Sequence, residues 1–380
     1  MSELLVVGGG IMGLWAALVA ARQGMAVRLV ERQRIGAGAS GGLLGALMPH
    51  MPDRWNAKKQ FQFDALVSLD GEIGRLEAET GLSTGYRRTG RLMPLGKPHL
   101  RDIALGHEQD ALTRWQAADR QFLWQVRNEA PEGWPSARAA VYGVVFDTLA
   151  ARVSPRRMLA TLRTALLQLP NVRLEEGAGV RAIDPTHGRA ELDDASRVTF
   201  DHCIIAAGIG SFPLIDALSV PLKATSGTAV KGQAALLKAD VDPDLPVIFT
   251  DGVYVIAHDD GHVAVGSTSE NRFADPLSCD EQLDELLRRA LVLAPRLADA
   301  TVVERWAGLR PKSAGREPIV GRHPDHRNIF ALTGGFKVSF GIAHRLAQVV
   351  VDEVAGLPTA DIPESFLCQT HIAALREKHL

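Results

Sequence analysis

A chain of 380 residues with 46% hydrophobic side chains can bury more than one core, and a net charge of −2 leaves no basic footprint for nucleic acid or an anionic membrane surface. A mean hydropathy of +0.01 and the lack of any uninterrupted apolar run of bilayer length speak against both a disordered chain and a membrane span. Cys203, Cys279 and Cys368 lie far apart and form no C-x-x-C pair, so no metal site is expected and a reducing, cytoplasmic setting is.

The apolar start lacks a basic leader region and is broken by glycines, so it reads as strand plus helix, not as a signal peptide. Residues 3–8 are predicted as a strand, 11–23 as a helix and 26–31 as a second strand ending in Glu31. The turn Gly8-Gly9-Gly10-Ile11-Met12-Gly13 between them has dinucleotide-binding spacing. Gly8 allows the tight turn, Gly10 admits a pyrophosphate to the backbone, and Gly13 lets the helix pack close on the strand. The helix N-terminus then offers unpaired N–H groups and a positive dipole end. Glu31 can accept hydrogen bonds from both ribose hydroxyls, and its charge disfavours a 2′-phosphate.

The stretch Gly36-Ala37-Gly38-Ala39-Ser40-Gly41-Gly42 excludes long side chains, so a ligand or another backbone approaches there. A helix is predicted over 56–80, a strand with a turn over 86–95, a helix over 98–127 and a loop over 131–135. Ser154 as N-cap and Pro155 at the first helical position begin a helix that runs to 169. Short strands follow at 172–175, 179–184, 188–192 and 197–200, then a buried strand over 202–208. Residues 223–237 and 247–266 alternate as an antiparallel sheet would, and 280–294 reads as helix. A buried strand at 329–333 runs into Gly334-Gly335-Phe336, and an amphipathic helix covers 341–355.

The first βαβ unit lacks the strands to finish its sheet, and the segments around Ile204 and Ile329 with the 341–355 helix are its natural completion. The expected fold is α/β: a Rossmann-like domain assembled from 1–50, 151–220 and 301–380, with 51–150 and 221–300 forming a second, antiparallel-sheet (α+β) domain.

At this point the sequence resembles the D-amino-acid-oxidase-type FAD-dependent oxidoreductases, most like their glycine oxidase branch. The likeness extends over nearly the whole chain. Its carriers are Val7 to Gly13, Glu31, Ser40-Gly41-Gly42-Leu43-Leu44-Gly45, Val230-Lys231-Gly232-Gln233, Tyr254-Val255-Ile256 and Val265-Gly266-Ser267-Thr268. They continue with Trp306-Ala307-Gly308-Leu309-Arg310-Pro311, Pro318-Ile319-Val320-Gly321 and Thr333-Gly334-Gly335-Phe336.

The resemblance implies non-covalent FAD, a Rossmann-like flavin domain and a substrate domain on an antiparallel sheet. It assigns to the cofactor Gly8, Gly10, Ile11, Met12, Gly13, Glu31 and Arg32, with Ser40, Gly41, Gly42 and Leu44. Val180, Ala207 and Gly208 fall to the adenosine side, and Gly308, Gly334, Gly335, Phe336, Val338 and Ser339 to the flavin. Arg310 is the expected carboxylate clamp, because a planar guanidinium holds a carboxylate bidentately and fixes the pose of the α-hydrogen. Tyr254 is expected to bind the same carboxylate or cap the site. Lys337 stands where a relative would carry a substrate-contacting arginine, a departure that puts substrate identity in question. His50 and His258 fall near these segments and are read as structural.

The implied reaction is oxidation of the C–N bond of a small amino acid or secondary amine of glycine, sarcosine or D-amino-acid type. Hydride leaves Cα, the imino acid hydrolyses to a 2-oxo acid plus amine, and dioxygen or another acceptor takes the electrons. A larger amine (an opine, a cyclic imino acid, a modified nucleoside), a nicotinamide dehydrogenase and a non-catalytic flavin-binding protein are the alternatives. No nucleic-acid partner is expected, and the composition leaves room for a homo-oligomer.

Overall fold

The computed structural model describes residues 3–118 and 120–377. The strands Glu3–Val7 and Ala26–Glu31 pair in parallel across the helix α1 (Ile11–Arg22), as the glycine spacing requires. His202–Ile205 and His326–Thr333 extend this sheet in parallel on one side, and Val172–Glu176 on the other. Ile319–His323 closes the edge antiparallel, which completes a six-stranded sheet.

α1 is buried on nearly every face from Ile11 to Ala21. Its alanines let it lie between the sheet and two further helices, α4 (Pro155–Leu167) and α7 (Ser339–Ala355). α2 (Ala57–Thr80) covers α4 and α7 from outside and begins at Asn56, whose side chain accepts from the N–H of Lys58 and of Lys59. The opposite face of the sheet packs on α5 (Ser211–Leu218), α8 (Cys368–Glu377) and a small sheet of Val180–Asp184, Arg189–Leu192 and Arg197–Thr199.

A second sheet of eight strands carries the other core. Its order is Thr301–Ser313, Gly227–Lys238, His262–Gly266, Val253–Ala257, Val247–Thr250, Arg91–Pro94, Val144–Asp147 and Trp124–Arg127. All pairs are antiparallel except that of Val247–Thr250 with Arg91–Pro94. α6 (Glu281–Leu293) seals one face, its Leu283, Leu286 and Leu287 packing on Val255 and Val263. The opposite face carries Ala234, Val247, Ile256 and Ala264, on which the loop residue Leu43 packs. Among the described residues no helix is long and apolar enough to cross a membrane, and no cluster of three metal-ligating side chains occurs.

Several expected elements differ. The helix expected over 98–127 ends as α3 (Pro98–Arg114), and Gln116–Ala117, Arg120–Gln121 and Trp124–Arg127 are strands. The helix ends where Trp115, its C-cap, leaves helical geometry with ψ 51°, and Ala118, with a left-handed φ of 48°, follows the strand Gln116–Ala117. Phe122 and Trp124 then alternate inward, a strand period that the polar residues around them conceal. The expected strand over 86–95 is only Arg91–Pro94. Ser154 occupies the N-cap of α4 but makes no side-chain cap bond. Two expected domain boundaries also shift. Thr301–Ser313 is an edge strand of the eight-stranded sheet, not part of the Rossmann-like unit, and α2 packs in the helix layer of that unit. Each is set by long-range pairing that local patterning does not encode.

Three imidazoles are sealed into this architecture. Burial pushes His258 and His323 down to about 4 and His344 to about 3, from an ordinary value of 6.5. A folded-state pKa below the unfolded one contributes stability that is present above pH 6.5 and is lost as pH falls through 4. Urea midpoints are therefore expected to hold steady above pH 7 and to fall steadily between pH 6.5 and 4. A flat profile across that window contradicts the buried neutral imidazoles.

Candidate functional site

A single cavity of about 940 Å³ runs from the glycine turn at the head of α1 to the face of the eight-stranded sheet. Every residue assigned to cofactor or substrate lines it, apart from Gly13 and Gly41. Those two act at one remove, by allowing backbone to approach backbone. A Cβ on Gly13 would stand 2.0 Å from the Gly8 carbonyl oxygen, and one on Gly41 2.1 Å from that of Gly36.

At the α1 end the turn is held from several sides. Gly8 has φ 112°, a conformation open to glycine, and a Cβ there would stand 2.5 Å from the Ala206 carbonyl oxygen. The Glu31 carboxylate accepts from Gly9 N at 2.7 Å and from Gln33 N at 3.0 Å, so it braces the turn as well as facing the cavity. A carboxylate has about four acceptor sites, which leaves capacity for the ribose hydroxyls. Ser40 Oγ accepts from Ile11 N at 3.0 Å and straps the small-residue loop to the head of α1. Beyond it, Arg32 pairs with Asp193 at 2.9 Å and donates to the Val180 carbonyl at 3.2 Å, which forms the wall of the adenosine end.

The middle of the cavity is shaped by Trp306. Its indole lies so close to Gly308 and Gly42 that a Cβ would meet it at 2.4 Å and 3.3 Å respectively. These glycines line the cavity as expected, but the side chain they make room for is Trp306. Below it, Gly334 to Ser339 turn into α7, whose N-cap Val338 supplies no side-chain cap. The head of α7, the positive end of a 17-residue helix, lines the cavity.

The far end holds Arg310, Tyr254 and Lys337 together. Arg310 rises from the strand Thr301–Ser313 over Gly232 on the neighbouring strand, where a Cβ would stand 2.0 Å from its Nη1. Nη1 donates to the Thr268 carbonyl at 3.0 Å, and no carboxylate pairs with the guanidinium among the described residues. Burial presses its pKa down, with Tyr254 and Glu270 opposing, yet arginine keeps its charge in any such setting. The Tyr254 ring packs on Phe249 with centroids 4.6 Å apart, and burial raises its phenol against the pull of Arg91 and Arg310. The Lys337 ammonium lies 5.5 Å from the Phe336 ring centroid, its pKa lowered by burial and by Arg310.

His258 is buried against the Leu43 carbonyl and stays outside the cavity, a structural histidine as expected. His50 does line the cavity, with its pKa lowered by burial and by Lys59. The sequence reading missed Arg91, Phe249, Met48 and Met51 as lining residues. Nothing local marks them; the fold of the second sheet brings them in. The residues present fit FAD: the glycine turn at the head of α1 would face the phosphates, Glu31 the ribose, and the head of α7 an electron-rich ring edge.

The comparisons with known proteins agree with this geometry. The chain is 31% identical over 368 residues to a glycine oxidase of Pseudomonas putida, covering 93% of this chain and 94% of that one. It is 31% identical over 364 residues to a glycine oxidase of Pseudomonas aeruginosa, covering 94% and 96%. The structure of glycine oxidase from Geobacillus kaustophilus superposes with a TM-score of 0.84 at 22% identity, over 97% of this chain and 99% of that one, and so shares the fold. With the family model for FAD dependent oxidoreductases matching residues 3–349, this chain belongs to that family, the DAO family, and is an FAD-dependent enzyme that oxidises an amine or amino acid.

Proposed function

We propose that the substrate is a small amino acid of glycine or N-methylglycine type, held by Arg310 with its α-hydrogen toward the flavin. The observation that carries this reading is a half-buried guanidinium in the cofactor's own cavity with no acidic partner among the described residues. Such a group can donate two parallel hydrogen bonds to a carboxylate, and part of its desolvation has already been met in folding.

Bound FAD supplies the two-electron acceptor for hydride from Cα, and dioxygen or another acceptor takes those electrons on. Arg310 anchors the carboxylate and Tyr254 Oη donates to it, so the Cα–H bond is oriented before reaction. Glu31, at the ribose end, is the one carboxylate lining the cavity among the described residues, so no acidic side chain stands near Cα to act as base. The substrate enters with its amine neutral, and its lone pair assists departure of the hydride. The imino acid leaves and hydrolyses to glyoxylate plus ammonia or methylamine. The head of α7 lines the cavity, where its positive dipole end would stabilise negative charge gained by a bound flavin. The free cysteines support a reducing, cytoplasmic setting for this activity.

The test is anaerobic addition of glycine and N-methylglycine to the FAD-loaded enzyme, followed at the visible flavin band. Bleaching with one equivalent of glyoxylate supports the reading; an unbleached spectrum at saturating concentrations refutes it. A pH dependence follows from Lys337. Its lowered pKa means that its charge is lost earlier in the alkaline range than for an ordinary lysine, so substrate affinity weakens as pH rises through that value. In Lys337→Arg this alkaline loss is expected to move upward by more than a pH unit. An unmoved limb rules out Lys337 as its source.

A further inference from the structure

The mechanism above leaves one buried cation without a task. Arg91, on the strand Arg91–Pro94, is 2% exposed yet borders the cavity. Its Nε donates to Asp147 at 2.6 Å and its Nη1 reaches the Pro49 carbonyl at 3.4 Å, while the buried Nη2 has no partner among the described residues. A buried charged donor left unpaired is costly, and such groups persist where a ligand completes them. The Arg91 and Tyr254 strands flank Val247–Thr250 on its two sides, and Arg91, Phe249, Tyr254 and Arg310 line the same cavity. The charges around it favour a further anion at this end as well. Arg310 and Lys337 carry no ion pair among the described residues, and the single lining carboxylate, Glu31, braces the turn at the opposite end. One α-carboxylate therefore leaves this end with excess positive charge.

We propose that Arg91 forms a second anion subsite, and that the preferred substrate is an amino acid or secondary amine carrying a second carboxylate on its side chain or N-substituent. This rests on the amino-acid reading of the site, with the α-carboxylate on Arg310. The reaction at Cα is unchanged, and the second carboxylate takes no part in bond making or breaking. It pairs with Arg91, whose charge Asp147 balances from behind.

The experiment compares isosteric pairs on the FAD-loaded enzyme by anaerobic stopped flow: aspartate with asparagine, glutamate with glutamine (both enantiomers), and N-(carboxymethyl)glycine with its monoamide. In at least one pair the acid is expected to reduce the flavin about 10- to 100-fold more efficiently than its amide, the effect of one charge-assisted contact. A second readout needs no turnover: thiodiacetate should perturb the flavin band at about tenfold lower concentration than its monoamide. The double variant Arg91→Met with Asp147→Asn, which avoids a buried unpaired carboxylate, should bring these ratios to within about twofold. Wild-type ratios near one for every pair, with glycine still bleaching the flavin, overturn this inference alone. No bleaching by glycine or any pair member overturns the amino-acid reading with it. A preference that survives in the double variant and is lost in Lys337→Met overturns Arg91 as the anchor.

Discussion

Arg310→Met is expected to lower the efficiency of anaerobic flavin reduction by about a thousandfold or more, with bound FAD retained. The guanidinium is half-buried, lacks an acidic partner among the described residues, and donates to the Thr268 carbonyl on its protein side. Removing one member of a buried charge pair in the enzyme–substrate complex costs roughly 2–5 kcal/mol, and the loss of orientation at Cα adds to it. Arg310→Lys should recover only part of the loss, since an ammonium cannot hold a carboxylate through two parallel bonds. The check is stopped-flow reduction alongside the flavin-to-protein absorbance ratio. Normal reduction rates in Arg310→Met would refute the assignment, and loss of colour would show that the arginine serves the fold or the cofactor instead.

Gly13→Val should produce a protein that holds little or no FAD and unfolds at clearly lower denaturant. A Cβ at this position would stand 2.0 Å from the Gly8 carbonyl oxygen and 3.4 Å from a Val6 methyl, so α1 must lift away from its strand. Overpacking of this kind costs about 3 kcal/mol or more. The lift also carries the Gly10 N–H and the head of α1 away from the place where phosphates would bind. Gly74→Ala is the control. It sits exposed in α2 with nothing within 4 Å of its Cβ position, and should leave FAD content unchanged while raising stability by up to about 1 kcal/mol. Urea midpoints and flavin content measured on both variants decide the matter, and a yellow, stable Gly13→Val would exclude the packing argument.

The elements legible in the chain were those whose signals are local. Glycine spacing between two apolar runs and an acid at the end of the second mark the Rossmann-like turn, because the backbone conformation at Gly8 and the contact at Gly13 admit no side chain. The helices expected over 56–80 and 280–294 form as patterning indicates, and the structure adds their caps, Asn56 and Asp280, each accepting from free N–H groups. The roles of Arg310 and Tyr254 were less legible. Locally each is an ordinary sheet residue, and only a family likeness singled them out.

What the tertiary structure alone decided was which distant segments meet. Thr301–Ser313 pairs along its length with Gly227–Lys238, which carries Arg310 over Gly232 and into the flavin cavity. The strand at Trp124, hidden within a helix-like stretch, pairs with Val144–Asp147, whose Asp147 holds Arg91 at the cavity wall. Spacing along the chain carries backbone geometry over one turn or one strand. Side chains separated by tens or hundreds of residues are brought together by sheet register and core packing, and that information is spread over every residue that fills the cores.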